Sequence, residues 1–291
     1  MGVENVFYQT FTVDWISITF DSYHGLKFAK QIGYKGWASD VEGTKPRGYS
    51  EARELETGAL IAWHNERKDM GVHVQLSGAT LRYYSTIGVD WMQLLKWAKK
   101  YKGRTSRVDL ALDLHNSGLQ LGDFKKSNLK PYKGKGRTPQ FLPVGTQEDG
   151  WTVYVGSRES EKYLRIYDWS AKHDKEAGDY IRVELECKGE VAHAIGWEFP
   201  NNETSYCVEM AQTLIRGCAD FNMANWQIAL ASRDVALSIP QGKDKDTLGW
   251  LIKVCAPSLA KQIEKYPSRD VMGEFATALR LELQSRGLDI Q

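Results

Sequence analysis

Six segments of the chain alternate apolar and polar residues with a period of two. They are residues 14–20 (DWISITF), 71–76 (GVHVQL), 107–114 (RVDLALDL), 151–156 (WTVYVG), 163–167 (YLRIY) and 180–188 (YIRVELECK). This pattern, rich in β-branched residues, marks strands that bury one face and keep the other polar. Short connections between such strands favour antiparallel pairing, because a parallel pair needs a long crossover.

Helical signals lie between and after the strands. Residues 90–101 open on Asp90, suited to N-capping, and end in lysines. Residues 190–198 and much of 203–238 read as helical, and 247–262 and 271–286 as two amphipathic helices with Pro267 between them. The fold class expected is α+β: a curved, mainly antiparallel sheet from two pseudo-repeated halves, with flanking helices and a helical C-terminal part. The repeat is inferred from two matches between the halves, HVQLSG with VYVGS and RVDLALD with RVELECK. The expected division is a main domain at 1–200, with halves 1–124 and 138–200 joined by a basic loop at 125–137. A helical region at 201–291 would pack on it.

The 291 residues suffice for a sizeable core, and 42% hydrophobic with 26% charged residues excludes a disordered chain. Cys187, Cys207, Cys218 and Cys255 show no C-x-x-C spacing, so they read as reduced packing residues. Asp14 interrupts the N-terminal apolar stretch, unlike a signal peptide, and no apolar run approaches the roughly 20 residues of a membrane span. A cytoplasmic protein with no membrane partner is expected. A net charge of +1 says little, so a nucleic-acid binder would have to concentrate its cations on one face. Ten Trp and fourteen Tyr serve cores, and also supply stacking faces for unpaired bases.

Local charge is more informative. Lys125, Lys126, Lys130, Lys133, Lys135 and Arg137 crowd a Gly- and Pro-containing stretch without one acid, preceded by Lys96, Lys99, Lys100, Lys102 and Arg104. That stretch is either a solvated connector or a phosphate-contacting loop. In RVDLALDL the pleat sends Arg107, Asp109, Ala111 and Asp113 to one face. In IRVELECK it does the same for Arg182, Glu184, Glu186 and Lys188. Such faces are either a solvated sheet surface or carboxylates converging on a hard divalent cation. Between the acidic strands, GSRESEKYLRIYDW places Tyr163 and Tyr167 beside Arg158 and Arg165. A tyrosine hydroxyl needs a base, cation or metal to become a nucleophile, and an arginine fork suits phosphate oxygens. Packing of both tyrosines is the alternative.

Taken in order, DWISITF, GVHVQLSG, SRVDLALDL, GSRESEKYLRIYD and YIRVELECKGEVA resemble the replication initiation factor family. That family includes rolling-circle Rep proteins of plasmids, relaxases of integrative elements and filamentous-phage replication proteins. WLIKVCAPSLAK is similar to its C-terminal portion in the phage branch, so the resemblance spans about residues 14–265. It implies a metal-dependent nicking and closing activity on one strand of a replication origin, through a tyrosine left joined to the 5′ phosphate. The family's R-x-Y-[DE] tyrosine falls on Tyr167, with Tyr163 the alternative, and Arg165 and Arg158 would hold phosphates. The acidic positions fall on Asp109 and Glu184, then Asp113, with Glu186 weakest, and would hold Mg²⁺ or Mn²⁺. Origin DNA is the expected partner, with host helicase and polymerase and a homodimer as further ones.

The chain departs from the family at Trp169, where a lysine is usual after Tyr-Asp; Lys172 follows three positions on. No His-hydrophobic-His pair is present, and His73 is retained only as a residue behind the site. Two rival functions stand beside nicking. One is a non-enzymatic origin-binding protein, the other a nuclease using a metal-activated water.

Overall fold

The computed structural model describes residues 6–35, 41–42, 44–46, 48–131, 137–145, 151–169, 180–239 and 247–285. Ten strands form one antiparallel sheet: β1 (Tyr8–Phe20), β2 (Val41–Glu42), β3 (Glu51–Glu54), β4 (Leu60–Trp63), β5 (Val72–Ser77), β6 (Arg104–His115), β8 (Phe141–Val144), β9 (Thr152–Val155), β10 (Lys162–Asp168) and β11 (Tyr180–Lys188). Two short strands, β7 (Leu129–Lys130) and β12 (Asp220–Phe221), make a separate ladder. The order in the large sheet is β2-β3-β4-β5-β1-β6-β11-β10-β9-β8. All six alternating segments are strands of this sheet.

That order is a doubled plan about the β1–β6 pair. In each half a long central strand is followed in the chain by the outer strands, and the last of them returns beside the first. Trp15, Ser17 and Thr19 oppose Ser77, Gln75 and His73. Arg107, Asp109 and Ala111 oppose Lys188, Glu186 and Glu184 in the same way. Each returning strand then runs straight into a helix, α2 (Gly78–Thr86) after β5 and α4 (Gly189–Glu198) after β11. Both junctions are glycines in crowded places. A Cβ at Gly78 would lie 2.2 Å from Asp14 Oδ1, and one at Gly189 would lie 2.4 Å from Glu161 Oε1, where φ is also +59°. The halves are therefore two, as expected, but β6 corresponds to β1 and β11 to β5. The two sequence matches had linked strands that are not equivalent, and the strand order puts Arg104–His115 in the second half.

Bulges explain why the alternation started late in both central strands. The register between β1 and β6 shifts between Val13 and Trp15, and again between Ser17 and Ile18, so Asp14 and Ser106 are extra residues. An extra residue inverts which parity faces the core. Phe11 and Val13 pack inward before the first bulge, Ile16, Ile18 and Phe20 after it. The alternating run is legible only beyond the break.

The inward face is covered by helices. Helices α1 (Ser22–Gln31), α3 (Trp91–Lys100), α4 and α5 (Thr204–Cys218) contribute Phe28, Leu94, Leu95, Val191, Ile195, Met210 and Ile215. These meet Val108, Leu110, Leu112, Leu164, Ile166, Val183 and Leu185 of the strands. Asp90 caps α3 by accepting from Gln93 N at 2.7 Å, and Lys99 and Lys100 sit in its last turn. Burying Leu94 and Leu95 stabilises the packing by roughly 1.5–3 kcal/mol each. The region 203–238 is less helical than expected: after α5 come β12 and α6 (Ala224–Ala229), and 231–239 has no regular structure. There Arg216 replaces helical bonding by donating to Leu230 O, Ser232 and Asp234. Cys187 and Cys207 are buried thiols.

The chain divides into two compact units, residues 1–240 and 241–291. The divide falls 40 residues beyond the expected boundary at 200, because α5 packs on β10 and β11. The second unit is the helix pair α7 (Thr247–Lys265) and α8 (Val271–Ser285), close to the expected bounds. Among the described residues no helix is long and apolar enough to cross a membrane.

Candidate active site

The face of the sheet opposite the helices carries the candidate residues. Neighbouring strands β6, β11 and β10 present Asp109 and Asp113, Glu184 and Glu186, and Tyr163, Arg165 and Tyr167, at alternate positions that the pleat sends to one side. The face is polar yet not solvated: Asp109 is 2% exposed, and Glu184 and Tyr167 6% each. Burial of ionised groups at this level is tolerated only with partners.

Those partners form a continuous network. Tyr167 donates its hydroxyl to Glu184 Oε2 at 2.9 Å. Arg165 Nη2 donates to Glu184 Oε1 at 2.7 Å and to Asp109 Oδ2 at 2.8 Å, bridging the two carboxylates. Arg107 grips Asp109 with Nε and Nη2 at 2.8 and 2.6 Å, and its Nη2 lies 2.9 Å from Glu186 Oε2. Lys188 Nζ closes the cluster 3.1 Å from Glu186 Oε1. Arg165 Nε is buried and has no hydrogen-bond partner among the described residues.

Burial pushes the Glu184 carboxyl up to about 7 against the pull of Arg165, with Asp109 and Asp14 adding repulsion. Burial also raises the Tyr167 hydroxyl above its usual range, and the Glu184 charge adds to it. A tyrosine that resists ionisation thus donates to a carboxylate able to take up a proton near neutral pH, a pairing typical of functional sites.

The expected three-carboxylate convergence does not form. Asp113 lies two residues along β6 and is held by Arg182 of β11, Nε to Oδ1 at 2.6 Å and Nη2 to Oδ2 at 2.8 Å. Among the described residues no group of three His, Cys, Asp or Glu side chains is placed to hold a metal ion. Asp109 and Glu184 converge on Arg165 Nη2, with Glu186 Oε2 3.7 Å from the same nitrogen.

Tyr163 is equally buried, but it stacks on Tyr154 at 5.5 Å beneath Arg158, whose exposed guanidinium lies 5.6 Å from its ring. The structure thus associates Arg158 with Tyr163 and Arg165 with Tyr167. Trp169 lies over the guanidinium of Arg182 at 3.7 Å and stacks on Tyr167 at 6.3 Å. The residue that departs from the family pattern is therefore a wall of the site, and Lys172 lies outside the described residues. His73 is separated from this cluster by β1: it bonds Thr19 Oγ1 at 2.9 Å and stacks on Tyr49, and burial pushes its pKa down to about 4. Lys125, Lys126, Lys130 and Arg137 are exposed and outside the network, anchored through Leu129, which is buried on the helix side. Lys133 and Lys135 lie outside the described residues.

Two residues of the site were not singled out as site residues from the sequence. Asp14, the bulge residue of β1, lies 3.5 Å from Arg82 and 3.7 Å from Arg182, and burial raises its carboxyl. Arg182 was legible as a member of the polar face, but its pairing with Asp113 depends on the β6–β11 register.

The sequence model of the family described as "Replication initiation factor" matches residues 103–273, more than half of the chain. The putative DNA relaxase NicK of Bacillus subtilis (strain 168) is 23% identical over 284 residues, covering 87% of this chain and 80% of that protein. A rolling circle replication initiator protein from Geobacillus stearothermophilus, of known structure, matches with a TM-score of 0.57 and 16% identity. That match covers 85% of this chain and 97% of that one, and at this identity it is a likeness of fold. The chain belongs to the replication initiation factor family.

Proposed function

We propose that the protein is a rolling-circle replication initiator that nicks one strand at a replication origin through a covalent 5′-phosphotyrosine, and can rejoin the ends. The observation that carries this reading is the chain Tyr167–Glu184–Arg165–Asp109: a hydroxyl, the carboxylate that accepts its hydrogen bond, and a cation that fixes that carboxylate. In this reading Tyr167 Oη attacks the scissile phosphorus and its proton passes to Glu184. The bond to the 3′ oxygen breaks, and that oxygen leaves as a primer hydroxyl once it has gained a proton. One phosphodiester replaces another, so no ATP is needed, and attack by the 3′ hydroxyl reverses the step. Arg165 Nε, a buried donor without a partner among the described residues, suits a phosphate oxygen. Arg158 is placed to hold a phosphate on the Tyr163 side.

Asp109 and Glu184 supply hard oxygen donors, and a divalent cation between them would have to take the place that Arg165 Nη2 holds. They are the residues that would hold Mg²⁺ or Mn²⁺, with Asp113 set apart in its own pair. When bound, the cation would offset negative charge on the phosphate oxygens. The 1–240 unit carries nicking in this reading, and origin recognition draws on Lys125, Lys126, Lys130, Lys133, Lys135 and Arg137 and on the C-terminal helices.

Supercoiled DNA bearing the protein's own origin, incubated with the protein and Mn²⁺, should yield a denaturation-resistant protein–DNA adduct, lost in Tyr167→Phe. An adduct that persists in that variant would move the nucleophile to Tyr163. Nicking without an adduct would indicate hydrolysis by water, and no cleavage of verified origin DNA a binding protein.

A further inference from the structure

A cavity of about 270 Å³ opens among α1, α2, α3 and the turn between β3 and β4, and no residue of the Tyr167 network lines it. Ile32, Leu55 and Tyr84 form its buried floor, where the Tyr84 hydroxyl donates to Ile32 O at 2.6 Å. Tyr83 and Ile87, 45% and 57% exposed, stand at its mouth. Apolar side chains grouped around a hollow mark interaction sites, whereas isolated ones on a surface do not.

The charge around this cavity is one-sided. The chain carries a net charge of only +1, yet α1, α2 and α3 contain no acidic residue. The acids that precede α1 and α3 serve as caps: Asp21 accepts from His24 N and Asp90 from Gln93 N. Lys27, Lys30, Lys35, Lys96, Lys100 and Lys102 are exposed, and none has a carboxylate within ion-pair distance among the described residues. Lys35 lines the cavity itself. Lys27 and Lys30 lie within about one turn of the lining residue Gln31, and Lys96 and Lys100 within about one turn of the lining residue Trp97. The two helices meet there, with the Tyr101 hydroxyl donating to Gln31 Oε1 at 3.3 Å. Unpaired like charges on adjoining helices repel, and a partner of opposite sign would relieve that repulsion. Glu56 is the one acid of the lining.

We infer that this surface docks an acidic protein segment carrying an apolar anchor, with a Phe- or Leu-sized side chain in the cavity and carboxylates on the surrounding lysines. A DNA duplex would engage the lysines but leave the cavity, Tyr83 and Ile87 without a part, so the apolar lining favours a peptide. The site is independent of the nicking reading, and a partner held here would leave the polar strand face free.

Fluorescence anisotropy on the full chain tests this. The probes are labelled peptides in which one Phe or Leu occupies each position of an aspartate run in turn, matched peptides with Ser instead, and a labelled DNA duplex. The best Phe or Leu peptide should bind about 5-fold or more tighter than its Ser match. Ile87→Ala should weaken that peptide about 3- to 10-fold and leave the Ser peptides unchanged. Lys96→Ala and Lys100→Ala together should weaken both sets about 3- to 30-fold. Glu56→Gln should tighten both about 2-fold, a gain that misfolding cannot produce. No preference for the apolar residue, or lysine variants that bind like wild type, would overturn the proposal. So would a duplex bound more tightly than every peptide and weakened equally by the lysine variants, which would assign the surface to nucleic acid.

Discussion

In the first half of the sheet Thr19 and Ser17 face His73 and Gln75 across one pair of strands; in the second, the equivalent positions are Ala111 and Asp109 facing Glu184 and Glu186. On the outer neighbours, Ala62 opposes His73 where Arg165 opposes Glu184. The backbone plan is shared, and the first half satisfies it with neutral groups: His73 bonds Thr19, and Trp15 donates to Ser17 Oγ at 2.7 Å. The plan therefore does not need charges to fold. Buried ion pairs commonly contribute no more stability than well-packed apolar residues would. That the second half nonetheless buries carboxylates under arginines points to chemistry rather than to architecture.

Substitutions can break this contrast in graded steps. Tyr167→Phe should reduce covalent adduct by about 10³-fold or more, read on denaturing gels, because the attacking atom is gone. Glu184→Gln should slow adduct formation by about 10²–10⁴-fold. In the wild type the rate should climb as pH rises through about 7, where the Glu184 carboxyl loses its proton; the Gln variant should lack that step. Stability runs the other way. A carboxyl raised from 4.5 to about 7 in the fold keeps a proton that the unfolded chain has released, so its contribution fades as pH rises across that window. Chemical denaturation of wild type and Glu184→Gln at pH 5 and 8 should show the difference.

Arg165→Met should lower unfolding free energy by about 3–5 kcal/mol, since it leaves the buried Glu184 carboxylate without its cation while Arg107 still holds Asp109, measured by urea titration. Its counterpart in the first half supplies the contrast. His73→Phe should shift stability by about 1 kcal/mol or less and leave adduct formation unaltered. A large loss of nicking in His73→Phe would make the two halves functional equals and end the comparison.

Much of the second half was legible because its strands are long and regular. Once the pleat is assumed, Asp109, Glu184, Arg165 and Tyr167 fall on one face from spacing alone. What spacing cannot supply is which rungs align, and that is why Asp113 was grouped with Asp109 and Glu184 when it belongs with Arg182. The first half was harder. Its strands β3 and β4 (EARE, LIAW) are four residues long and alternate weakly, and α2 (GATLRYYST) contains poor helix formers. Edge strand β8 carries Pro143, which is tolerated where no partner lies beyond. Asp14 was read as the start of a strand because the bulge hides the six residues before it.

The bulges also bear on how such a chain tolerates length changes. Removing Asp14 would give β1 an uninterrupted alternation from end to end, a tidier pattern by any periodicity measure. It would leave Phe11, Val13, Ile16, Ile18 and Phe20 at one parity and in register with β6, so the core would be kept and the loss would be the bulge and the Asp14 carboxyl beside Arg82 and Arg182. The surplus residue therefore serves the polar face and not the core: it adds a carboxylate beside Arg182 without turning any core residue of the strand outward.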